Sequence, residues 1–141
     1  MVEHTLDEWK AIYEQKTGKT FEPQTGFKLF YYPERGFAEI GIDTNAKMVI
    51  CYQLCGDGFF WRRLIEFLSV NMGYPVAGTI CIRRIVPYIR FWGYKIESKE
   101  EVPGATPRYF CKNKEGKWLQ CSPAWQDEKT GEFAYWMTWE V

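Results

Sequence analysis

Net charge is the first thing this sequence lacks. Eighteen lysines and arginines stand against eighteen aspartates and glutamates. No run of like charges gathers into a tail, so bulk electrostatics favours neither nucleic acid nor an anionic membrane surface as a partner. Histidine is almost absent: His4 is the only one, and it falls in an N-terminal segment expected to be loose. That removes the commonest zinc ligand, and no metal site is expected. The five cysteines (Cys51, Cys55, Cys81, Cys111 and Cys121) contain no C-x-x-C pair and are odd in number. Set in apolar, strand-like surroundings, they read as reduced core thiols and not as a disulfide frame. No apolar run reaches bilayer length, and the start Met-Val-Glu-His-Thr-Leu-Asp-Glu is polar and acidic, without the apolar stretch of a secretory signal. The expected location is the cytoplasm, with no membrane partner.

What the sequence does hold is rings. Aromatic residues make up 18% of the chain, with seven tryptophans. Such density suits a large-ringed core, a stacking surface or a pocket wall, and composition does not choose among them. With 141 residues and no repeat, low-complexity tract or linker, the chain is expected to form a single domain over 1–141 with one core.

The pattern of elements is legible in order. Thr5 followed by Glu8 forms a capping-box signature, and Leu6, Trp9, Ile12 and Tyr13 make an apolar stripe ending near Gly18. After a polar loop, Phe27 to Tyr32, Phe37 to Asp43 and Met48 to Leu54 are aromatic and β-branched runs separated by four-residue turn clusters, the signature of an antiparallel meander. In the middle run Glu39 and Asp43 share one face. A helix over Phe59 to Met72 follows, with Trp61, Leu64, Ile65, Leu68 and Met72 inward and Arg62, Glu66 and Ser69 outward. Then come a short strand (Val76 to Ile82), a second amphipathic helix (Arg83 to Trp92) closing at Gly93, an extended run from Tyr94 to Ile96, and a charged Pro/Gly loop from Glu97 to Thr106. Hairpin candidates at Tyr109 to Lys112, Trp118 to Cys121 and Phe133 to Trp139 complete the chain, with Trp125 to Gly131 as an excursion between the last two.

The stretch Cys51-Tyr52-Gln53-Leu54-Cys55-Gly56-Asp57-Gly58 joins the meander to the long helix. A strand, glycine turn and helix start aim unpaired backbone N–H groups and the positive end of a helix dipole at one spot, which is a ready anion site. Asp57 cuts both ways. Its carboxylate either caps the helix and occupies those amides, making the turn architecture, or turns outward and leaves them to a ligand. Arg62 and Arg63, one turn on, offer phosphate contacts or partners for Asp57.

With this order of elements, the chain resembles the GNAT-type acyl-CoA N-acyltransferases. Gln53-Leu54-Cys55-Gly56-Asp57-Gly58 fits that family's Q/R-x-x-G-x-G/A signature, and Ile89-Arg90-Phe91-Trp92-Gly93-Tyr94 looks like its helix-ending Y-x-x-x-G-F. The resemblance covers Phe27 to Ile96, about half the chain, and implies an α/β (α+β) fold with a mixed, mostly antiparallel sheet and flanking helices. It also implies acetyl-CoA or another acyl-CoA, with the pyrophosphate held by backbone N–H groups of Leu54, Gly56, Gly58 and Phe59 beside Gln53, Asp57 and Arg62. A strand N–H near Ile50 or Cys51 would hold the thioester oxygen, and the pantetheine arm would lie between that strand and Val76 to Ile82.

The chemistry implied is direct attack of an amine, from a small molecule or a peptide, on the thioester, with Glu39 or Asp43 as base and a tyrosine as acid. The family's tyrosine position carries Ile89 here. Tyr88 is one residue away, about 100° around the helix. The rival reading is a non-catalytic binding module on the same fold, holding a partner with its aromatic C-terminal half. A Cys55 nucleophile lacks an accompanying histidine. Trp118, Trp125, Trp136 and Trp139 read as core or pocket wall before nucleic-acid platform, and the sequence leaves room for a homodimer.

Overall fold

The computed structural model describes residues 2–141. The fold is α+β, with three helices and eight strands among the described residues. It divides into two compact units, the first ending at Pro75 and the second running Val76–Val141.

The first unit opens with helix α1 (Leu6–Thr17). Thr5 and Glu8 exchange the two hydrogen bonds of a capping box, Thr5 N to Glu8 Oε1 at 2.8 Å and Glu8 N to Thr5 Oγ1 at 3.2 Å. Gly18, left-handed at φ 71°, ends the helix by donating its N–H to Glu14 O. The segment around His4, expected to be loose, is held. The His4 N–H reaches Pro33 O, Tyr31 Oη donates to His4 O, and the imidazole sits edge-on to Trp9 with centroids 4.9 Å apart. A turn carbonyl made this possible, and no periodic pattern announces such a partner.

Strands β1 (Phe27–Tyr32), β2 (Gly36–Asp43) and β3 (Met48–Gly56) form the expected antiparallel meander. β2 is the middle strand, and Gly36 to Gly41 are all buried. Helix α1 packs over β2 and β3, where Tyr13, Phe21 and Phe37 meet edge to face. Gly41 lies under the Phe27 ring so closely that any side chain would enter it.

Helix α2 (Gly58–Met72) follows β3 after one residue and packs against that strand. Its buried stripe is Trp61, Ile65 and Ser69. The reading that put Ser69 outward and Met72 inward is corrected: Ser69 is fully buried, and Met72 is 40% exposed. The inward face advances every fourth residue, and the Ser69 hydroxyl satisfies itself on Ile65 O at 2.9 Å, so a polar residue fits the apolar stripe.

In the second unit β4 (Val76–Cys81) pairs antiparallel with β8 (Phe133–Glu140), β8 with β7 (Trp118–Gln126), β7 with β6 (Arg108–Lys112) and β6 with β5 (Lys95–Glu100). Helix α3 (Ile85–Phe91) buries Ile85 and Ile89, and Pro87 lies in its first turn, where no N–H is needed. β8 buries Tyr135, Met137 and Trp139 on one face, with Trp136 and Thr138 half-covered on the other.

Two boundaries differ from expectation. Residues 97–100, expected in a loop, continue β5 because β6 is there to pair with them. Trp125, expected in an excursion, lies within β7, which continues to Gln126 opposite Phe133. Pro123 hides this continuation, and the strand accommodates it at a bulge between Pro123 and Trp125. No helix among the described residues is long and apolar enough to cross a membrane.

Candidate functional site

The junction of β3 and α2 is built on two glycines that face each other. Gly36 and Gly56 are register partners across β2 and β3, at φ 93° and 109°. A Cβ on Gly36 would collide with the Cys55 carbonyl, and one on Gly56 with the Arg35 carbonyl. Both positions therefore require glycine for close backbone approach as well as for backbone angle. Gly58, the third glycine, has open space around it and opens α2.

Into this junction comes Arg35, from the turn between β1 and β2. Its carbonyl accepts the Asp57 N–H at 2.9 Å and the Trp61 indole N–H at 2.8 Å. Its guanidinium meets Asp57 Oδ2 at 2.5 Å and lies over the Phe60 ring, 5.1 Å from the centroid. Asp57 is the N-cap of α2, and its Oδ1 accepts the Phe60 N–H at 3.1 Å. The Phe60 amide holds the Asp57 carboxyl below the usual carboxylate range, reinforced by the Arg35 guanidinium and opposed by partial burial. A protein carboxylate thus occupies the spot where a strand–glycine–helix turn can receive an anion. Of the two readings of Asp57, the cap is the one the structure adopts.

The second polar cluster lies under α1. Glu39 is 2% exposed. One carboxylate oxygen accepts the Gln24 N–H at 2.6 Å, and the other accepts Gln53 Nε2 at 2.8 Å. Gln53 Nε2 also reaches Glu22 O at 2.6 Å, and its Oε1 accepts from Tyr13 Oη at 3.2 Å. Burial, with the nearby Glu39 charge second, pushes the Tyr13 phenol up to about 12, so it stays a hydrogen-bond donor at all ordinary pH. The register shift between Ala38 and Ile40 places Glu39 opposite the β3 segment carrying Tyr52 and Gln53. The cluster fastens the loop of residues 18–26 and helix α1 to the sheet.

The other residues singled out in the sequence fall as follows. Asp43 is exposed at the end of β2, where its Oδ1 accepts the N–H groups of Asn45 and Ala46. It does not share the burial of Glu39. Cys51 is fully buried, Ile50 and Leu54 are half-buried β3 positions paired with Gly41 and Ala38, and Phe59 is 45% exposed. Arg62 lies along α2 with its Nε 3.6 Å from Glu66 Oε2. Tyr88 belongs to the second unit, half-buried between the rings of Phe91 and Trp92 and under the Arg83 guanidinium. All five cysteines are buried and unbridged. Burial pushes the Cys81 thiol up to about 11. Cys121 is likewise raised, by its side-chain hydrogen bond with Cys111 and by burial.

Sequence reasoning missed Arg35 and Tyr13. Arg35 sits in a Pro-Glu-Arg-Gly turn that carries no periodicity; the cation expected beside Asp57 was Arg62 or Arg63, and the structure supplies Arg35 instead, with Arg62 beside Glu66. No protein-family model, no curated protein and no solved structure matches the chain.

Proposed function

We propose that this chain is an acyl-CoA-dependent N-acyltransferase of GNAT-type fold that acts on the amine of a small molecule or peptide in the cytoplasm. The observation that supports this reading most is the first unit. There an antiparallel meander runs through Gly56, Asp57 and Gly58 directly into a fifteen-residue helix, with Arg35 supplying a cation at the helix start. The backbone of Leu54, Gly56, Gly58 and Phe59, with Arg35 and Arg62, would hold the coenzyme pyrophosphate. The thioester supplies the acyl group to the amine. Of the two carboxylates, Asp43 is the accessible proton acceptor, whereas both oxygens of Glu39 are committed to Gln24 and Gln53. Coenzyme A leaves as its thiolate, which takes up a proton from water.

The fit carries one condition. Binding the pyrophosphate requires Asp57 to leave the Phe60 amide and Arg35 to turn to phosphate. That requirement favours a second reading, a non-catalytic binding module in which the turn is purely a joint. Titration with acetyl-CoA separates the two. Ligand at a hundred times its dissociation constant adds about 2.7 kcal/mol to unfolding free energy, read as a thermal shift. Asp57→Asn keeps a capping side chain while removing the charge. It is expected to tighten acetyl-CoA binding severalfold, in line with roughly 0.3–1 kcal/mol for one charge at a helix start. Absence of a shift with any acyl-CoA, in both wild type and Asp57→Asn, overturns the enzyme reading. Given binding, thiol release across an amine panel with Asp43→Asn and Glu39→Gln identifies the proton acceptor.

A further inference from the structure

The whole-chain charge of zero conceals a stretch of sequence that carries basic residues and no acidic ones. From Val76 to Ile96 there is no aspartate or glutamate, while Arg83, Arg84, Arg90 and Lys95 fall in that span. The three arginines flank or lie on α3, and all are exposed. No carboxylate pairs with any of them among the described residues.

The same surface carries rings. Tyr88 and Phe91 are stacked at 24° with centroids 6.3 Å apart, and Arg83 lies 5.8 Å over the Tyr88 ring. Phe91 is 64% exposed and Ile82 is 52% exposed. Helix geometry puts Arg84, Tyr88 and Phe91 on one stripe, at i, i+4 and i+7, opposite the buried Ile85 and Ile89. The stripe is rigidly backed: Tyr88 also meets Trp92, whose ring sits edge-on to the fully buried Trp139.

We propose that this α3 surface binds single-stranded nucleic acid. Arginine at all three of these positions suits phosphate, because its planar fork makes paired hydrogen bonds and also stacks. The outer face of Phe91 is a platform for a base, and stacking of this kind is indifferent to sequence. An acidic peptide would satisfy the arginines and leave the ring stack unexplained. Net neutrality argues against a nucleic-acid partner only when charge is spread evenly, and here it is not.

The test is fluorescence anisotropy of a short labelled oligothymidine with the full chain across a salt series. Binding is expected at low salt, with log K falling by about 0.7 for each phosphate neutralised, hence a slope near −2 for three arginines. Phe91→Ala is expected to weaken binding roughly tenfold or more. Replacing Arg83, Arg84 and Arg90 by glutamine is expected to abolish the salt dependence. All four side chains are exposed, and unchanged circular dichroism checks that the variants fold. Failure of the oligonucleotide to bind at low salt overturns the proposal, as does binding that these variants leave unaltered. Preference for an acidic peptide, or displacement of the oligonucleotide by acetyl-CoA, overturns it as well.

Discussion

Three glycines within the two facing turns have three different physical duties. Gly36 and Gly56 combine a positive φ with a backbone carbonyl where a Cβ would stand. Gly36→Ala or Gly56→Ala is expected to cost about 3 kcal/mol or more, from backbone strain together with forced separation of β2 and β3. Gly58 has neither constraint. Gly58→Ala is expected to stabilise by about 0.5–1 kcal/mol, because alanine loses less freedom on entering a helix. Urea unfolding of the three variants measures both effects, and destabilisation by Gly58→Ala would show that the open space around it is not open in solution. Along the chain, Gly56-Asp57-Gly58 reads as one unit with one role. Gly36 is what divides it, and no local pattern announces that the turn before β2 folds onto the turn after β3.

For helix α2 the decisive group is its N-cap. The folded pKa of Asp57 lies below its unfolded value near 3.9. The carboxylate therefore contributes stability that is fully present above that value and is lost as pH falls through the lower, folded pKa. Wild-type stability is expected to decline across that acid window more steeply than that of Asp57→Asn, which has no charge to lose. Asp57→Ala is expected to cost about 1–2 kcal/mol at neutral pH, as the cap and the Arg35 partner go together. Parallel acid curves for wild type and Asp57→Asn would show that the ion pair carries no weight. Periodicity made the bounds of α2 legible almost to the residue, while it misplaced Ser69 and Met72 on the helix face. It could not say which of two roles Asp57 takes, because capping and ligand binding use the same amides.

At the scale of the whole chain, the aromatic excess is divided between core and surface. Trp61, Trp139, Tyr135 and Phe37 are buried to within 2%, while Phe91, Trp118 and Trp125 remain exposed. The five thiols all lie on the buried side of that division. With Cys81 and Cys121 further held in the protonated form, the native chain is expected to react with a disulfide-exchange reagent only as fast as it opens, and completely once denatured. Rapid labelling of any one thiol in the native chain would contradict this placement.

The sequence by itself determined the three helices, the antiparallel meander, the capping box at Thr5 and the glycine helix end at Gly18. Each of these rests on local periodicity or on the backbone freedom of one residue. Only the tertiary structure decided that Glu39 is a clamp with both oxygens engaged, that β5 and β7 run on through charged and proline-bearing stretches, and that Arg35 closes onto Asp57. Each of those depends on a partner distant in the chain. The energy of a hydrogen bond or an ion pair is set by which groups meet, and no local pattern in the chain records that.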